Sequence, residues 1–105
     1  SIYALNIERA VLSSIIFNPE LIEDVLGIIK PTDFYLLAHQ KIFDAMEQLN
    51  HEDLPIDEEF IKKRVDTKVV DESIIIEILS SNPTPNIMAY VKEIKDGAVK
   101  RELIS

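Results

Sequence analysis

Few residues in this chain have the type and spacing to do chemistry. The two histidines are His39 and His51, and cysteine is absent. No His-x3-His or Glu-x-x-His pair falls on a helical stretch, so zinc-type ligation has no framework here. His39 sits between Tyr35 and Phe43 at four-residue steps, which predicts a packed ring with one nitrogen satisfied. His51 lies in a charged segment and is expected in solvent. Carboxylates are plentiful, so pairs such as Glu20 with Glu23 or Asp24, and Glu58 with Glu59, arise by abundance. Their place in early helical turns suits the positive end of a helix dipole. An acid–base dyad needs a pocket and perturbed proton affinities besides. The serines lack a nucleophile-elbow pattern. The two glycines, Gly27 and Gly97, stand alone. They cannot form a phosphate-cradling loop, which needs several glycines for backbone N–H groups to approach phosphate. We therefore expect no catalytic, cofactor-binding or metal-binding residues in this chain.

Charge narrows the partners. The formal net charge is -8, from 19 acidic and 11 basic residues. Such a surface repels a phosphate backbone unless its cations cluster. The tight basic run Lys62-Lys63-Arg64 follows Asp57, Glu58 and Glu59, and reads as a solvated helix face. It is also too acidic in its first turn for a recognition helix. Direct nucleic-acid binding is not expected. No apolar run reaches the ~20 residues that span a bilayer, and no signal peptide opens the chain. Absence of cysteine fits a reducing cytoplasm. The chain opens on Ser1 rather than Met, from which we expect a piece of a longer protein.

The elements that would position these residues are helical. Asn6 reads as an N-cap with Glu8 in the first turn, followed by a stripe of Ile7, Ala10, Val11, Ser14 and Ile15. Ser13 and Ser14 weaken this helix slightly. Asn18-Pro19 starts a second helix with Leu21, Ile22, Val25 and Leu26, and Gly27 suggests a positive-φ ending. Pro31-Thr32-Asp33 signals another start. The segment from Leu36 to Leu49 has the strongest pattern, with Leu37, Ala38, Ile42, Ala45, Met46 and Leu49 on one face. Asp57 caps a short helix carrying Phe60, Ile61 and Val65, and Asp71 caps one containing Ile74, Ile75, Ile76, Ile78 and Leu79. Three consecutive isoleucines also suit a buried strand, but no second strand is present to pair with it. Phe34, Ile42, Phe43 and Phe60 are expected in the core. Ser80 to Pro85 breaks the pattern, since two prolines exclude a continuous helix. Asn86 caps a last helix with the stripe Ile87, Tyr90, Val91, Ile94 and Ala98, loosened at Gly97.

The fold class expected is all-α: a small helical bundle head at 1–81, a Pro-rich joint at 82–86, and an extended helix at 87–105. A helix held off by such a joint has little head surface to pack on. Its apolar stripe would then be covered by a following segment or a second chain.

The order of residues adds a resemblance. Asn6-Ile7-Glu8-Arg9-Ala10-Val11-Leu12, Asn18-Pro19-Glu20 and Leu54-Pro55-Ile56-Asp57 resemble the N-terminal domain of the DnaB family of bacterial replicative helicases. The most specific match is the string Pro31 to Phe43, similar to the family's P-x-D-F-Y…A-H-x-x-I-F pattern. Pro83 to Ile87 with Tyr90, then Arg101-Glu102-Leu103-Ile104, resemble the joint and hairpin helix that follow. The chain departs from the pattern at Leu12-Ser13, where the family has Leu-Gly, and at 66–76, where a Gly-Gly…Tyr-Leu segment is replaced.

The resemblance implies a non-catalytic collar domain of a hexameric helicase. The ATPase core, with its ATP and Mg, would lie C-terminal to it. The last helix would be the first arm of a helical hairpin through which subunits pair, three pairs making the collar. Ile87, Tyr90, Val91, Ile94 and Ala98 would then be the pairing interface. The implied partners are a second copy of the chain, the C-terminal domain of a DnaG-type primase, and a helicase loader. The other reading is a helical oligomerisation or adaptor domain without primase contact.

Overall fold

A computed structural model describes residues 1–104, and the described residues form six α-helices and no strand. Ser105, the end of the expected last helix, lies outside them. α1 is Ile2–Phe17, α2 Ile22–Leu26, α3 Leu37–His51, α4 Glu58–Arg64, α5 Glu72–Ser80 and α6 Ile87–Ile104. Short 3-10 turns at Pro19–Leu21 and Pro31–Asp33 precede α2 and α3. Both begin on proline, whose missing N–H costs nothing at a helix start.

α1 is the central element. It packs against α3, α5 and α6 at once, so Val11, Leu12, Ser13 and Ile15 are all fully buried. A one-sided stripe underestimates such a helix: Leu12 and Ser13 fall outside it and are nonetheless covered. Ser1 caps α1 by accepting from the Ala4 N–H at 3.2 Å, and Asn6 sits within the helix rather than at its start. Gly27 ends α2 at φ -67, an ordinary helical value rather than a left-handed one. The positive-φ residue is instead Asp53, at 57°, where the chain leaves α3. Aspartate tolerates that conformation better than most side chains.

Asp57 and Asp71 cap α4 and α5 as expected, accepting from Phe60 and Ile74 N–H groups. In the core, Phe34 and Phe43 stack in a tilted pair 5.1 Å apart. Phe60 is only half-buried, with the Lys63 ammonium 5.6 Å above its ring. Leu37 and Ile76, expected on apolar stripes, are exposed. The basic run is neutralised locally: Lys62 pairs with Glu58 and Glu72, and Arg64 with Glu52. The Arg64 hydrogen bond holds the Glu52 carboxyl below its ordinary range, with burial opposing.

The last helix does not stand off the head. α6 runs back along α1 in the opposite sense, with Ser14 meeting Thr84 at one end. At the other, Ser1 and Tyr3 share a cleft with Gly97 and Lys100. The dimensions agree. An 18-residue helix is about 27 Å long, yet the longest extent of the whole molecule is 36 Å. The accessible surface of 6268 Å² is close to the roughly 6,000 Å² of a compact monomer of this mass. α6 passes through Gly97 without interruption.

The proline-rich joint is tied down by the two serines inside α1. Ser13 Oγ donates to the Ser81 carbonyl at 2.9 Å. Ser14 Oγ donates to the Ala10 carbonyl at 2.7 Å and accepts from the Thr84 N–H at 2.9 Å. Both serines are buried, so each hydroxyl satisfies backbone groups that water does not reach. Ser14→Ala should therefore cost about 1 kcal/mol. It should speed hydrogen exchange at the Thr84 amide more than at core amides of α3. Unchanged exchange at Thr84 would remove the tie.

Candidate partner-binding face

The site is built around a carboxylate that the sequence places at a helix surface and the fold places inside. Glu8 lies on α1 facing the start of α3 and is 3% exposed. Its Oε2 accepts from the Tyr35 N–H at 2.6 Å. Its Oε1 accepts from the Leu36 N–H at 3.4 Å and lies 2.7 Å from His39 Nδ1. An ionised carboxylate only accepts, so Nδ1 carries the hydrogen of that contact. Leu36, at the N-cap position of α3, has no side-chain oxygen to cap with. α1 thus supplies the anion for the positive end of α3. His39 takes the packed position expected, 1% exposed, with Phe34 edge-on to its ring.

Asp33 makes the equivalent tie to α6. It is 3% exposed and accepts from the Lys30 N–H at 3.0 Å and from Lys95 Nζ at 3.4 Å. Arg101 donates to the Asp33 carbonyl at 2.7 Å, and its guanidinium lies 5.5 Å above the Tyr35 ring. The Pro31–Phe43 segment is therefore held between α1 and α6 by its backbone. Buried polar atoms lacking a partner are absent among the described residues.

The stripe expected to meet a partner is covered by its own chain. Ile87, Val91, Ile94 and Ala98 are at most 7% exposed, and Tyr90 is half-buried against the same core. The physical reason is α6 folding back on α1: the stripe completes the head's core and leaves no seam. What the bundle presents instead is the end where α1 begins and α6 finishes. Ile2, Tyr3, Val99, Leu103 and Ile104 are exposed there, Leu103 and Ile104 by more than four-fifths. Between the two helices lies a cleft of about 370 Å³, walled by Tyr3, Ile7, Ile94 and Gly97 and edged by charges of both signs, Glu93, Asp96, Lys100 and Arg101. Among the described residues, no group of three or more His, Cys, Asp or Glu could hold a metal ion. None of the helices is long and apolar enough to cross a membrane.

The family model for the DnaB-like helicase N-terminal domain matches residues 1–96. The chain belongs to that family. The replicative DNA helicase DnaB of Helicobacter pylori is 40% identical over 99 residues, 93% of this chain and 20% of the helicase. The replicative DNA helicase DnaC of Bacillus subtilis is 32% identical, over 92% of this chain and 23% of that protein. The chain thus spans about a fifth of the length of the curated relatives it matches. Among solved structures, the N-terminal domain of H. pylori DnaB, described with its interactions with primase, superposes with a TM-score of 0.92. That match is 38% identical and covers 97% of this chain and 84% of the other. The N-terminal domain of Mycobacterium tuberculosis DnaB gives a TM-score of 0.83 at 28% identity, over 95% and 76% of the two chains.

Sequence reasoning placed Glu8 in a first turn because it put the N-cap at Asn6. With the cap at Ser1, five residues earlier, Glu8 is mid-helix and faces the core beside Val11 and Leu12. A pointer existed: Leu36 starts a strong helix without a capping side chain, so its anion had to come from elsewhere. Glu8→Ala should cost about 3 kcal/mol, because three buried donors lose their acceptor. Glu8→Gln, which keeps one acceptor oxygen, should cost less. Urea midpoints at unchanged slope measure both, and equal stability of wild type and Glu8→Ala would refute the tie.

Proposed function

We propose that this chain is the non-catalytic N-terminal collar domain of a hexameric replicative DNA helicase, acting in the cytoplasm. It pairs subunits and docks the C-terminal domain of a DnaG-type primase. One observation carries this reading: the chain superposes over nearly its whole length on an N-terminal domain described with its interactions with primase. The chemistry supports it. The buried polar side chains of Glu8, His39 and Asp33 are committed to holding helices together. The surface is strongly acidic, which suits a protein partner better than a phosphate backbone. In this reading ATP and Mg belong to a C-terminal motor outside this chain, and a helicase loader is a further partner of the assembled collar.

Calorimetry of the chain with the primase C-terminal domain from the same organism should show saturable heat at micromolar concentrations. Absence of heat across that range would overturn the docking role.

Pairing needs a surface other than the covered stripe. In our reading it uses the exposed apolar end of α6, Val99, Leu103 and Ile104, continued by Ile2 and Tyr3 of α1. Five large apolar side chains at one end of a small acidic domain make a patch of the kind that marks association. Sedimentation equilibrium should show dimerisation that rises with concentration and is weakened by Leu103→Ser. A strict monomer, or dimerisation indifferent to Leu103→Ser, would sink this surface.

A further inference from the structure

At the opposite end of α1 a groove of about 530 Å³ opens between the α1–α2 junction and the loop joining α3 to α4. Its floor is apolar, formed by Ile16, Leu54 and Ile56, and its rim carries Glu20, Asp53 and Asp57. No lysine or arginine lines it. Phe17, adjacent in sequence to the floor, is 63% exposed. Asp57 is partly engaged, capping α4 through Oδ1. The carboxylates of Glu20 and Asp53 pair with no cation among the described residues.

The loop that forms one wall is fixed. Leu54 N–H donates to the Leu49 carbonyl at 2.9 Å. Arg64 grips Glu52 through two bonds of 2.6 and 2.8 Å, and Asn50 donates to Glu23 across to α2 at 2.8 Å. A wall held this way keeps its shape without a ligand, so a ligand would lose little affinity to ordering it.

Charge selects the occupant. A second copy seating the same groove against itself would bring six rim carboxylates together, and nucleic acid or an anionic membrane would meet the same repulsion. We propose that the groove docks a basic segment of a partner protein. One apolar side chain enters between Ile16 and Leu54, and flanking Lys or Arg residues meet Glu20 and Asp53. This inference stands apart from the proposed pairing surface, because the groove lies at the end of α1 away from the apolar patch and is defined by its own chemistry.

The test is a titration of the 105-residue chain, followed by backbone amide shifts. The probes are a short amphipathic lysine–leucine peptide, its glutamate–leucine counterpart, and oligolysine. The lysine–leucine peptide should shift amides in 16–20 and 50–57 above all others. Its affinity should fall about tenfold in the double variant Glu20→Lys with Asp53→Asn, and should weaken as salt is raised. Asparagine keeps the left-handed backbone at position 53 accessible, and unchanged spectral dispersion would verify that the variant is folded. Glu47→Lys, an exposed charge reversal outside the groove, should leave affinity unchanged. Shifts spread evenly over the acidic surface would overturn the proposal. So would equal binding of oligolysine or of the glutamate–leucine peptide, or equal weakening by Glu47→Lys.

Discussion

The arrangement of this domain depends on one buried carboxylate. Glu8 projects from the central helix into the start of α3 and accepts from two backbone N–H groups and an imidazole. A charge so far from water is stable only where donors converge on it, and an end of a helix with unspent N–H groups is such a place. The contact fixes the rotation of α1 about its axis, because turning the helix would strand the carboxylate in the apolar core. It also fixes where α3 begins, since Leu36 cannot cap the helix itself.

With α1 locked in rotation, its remaining faces are assigned. Val11, Leu12 and Ile15 face the core, and Ser13 and Ser14 meet the chain between α5 and α6. A joint with two prolines looks like a free hinge by composition. Here it is a fastened corner, because serine hydroxyls inside α1 satisfy its backbone at both ends. Ser13 falls at this corner, its hydroxyl donating to the Ser81 carbonyl. The fastened corner sends α6 back along α1, and the apolar stripe of α6 becomes core.

That outcome moves the functional surface. A strip buried in its own bundle is covered without a second chain, so in the proposed reading association falls to what the fold leaves outside. Two such regions carry the proposals. One is the apolar end where α1 begins and α6 finishes. The other is the acid-rimmed groove at the far end of α1. They differ in character: the first is apolar with charges of both signs at its edge, the second apolar with carboxylates alone. Opposite ends of one small bundle are thereby suited to chemically different neighbours.

The sequence by itself determined the helical class, most breaks between helices, the caps at Asp57 and Asp71, and the family, because these are local matters of periodicity, side-chain capping and residue order. It also placed His39 and the Phe34–Phe43 pair inside. It could not reveal that Glu8 is buried, that Asn6 lies within a helix, that Leu37 and Ile76 face water, or that Ile87, Val91, Ile94 and Ala98 complete the head. Periodicity reports which side of a helix is apolar but not what covers it. That depends on contacts such as Ser14 to Thr84 and Glu8 to Tyr35, between residues 70 and 27 positions apart, which only the folded chain brings within reach.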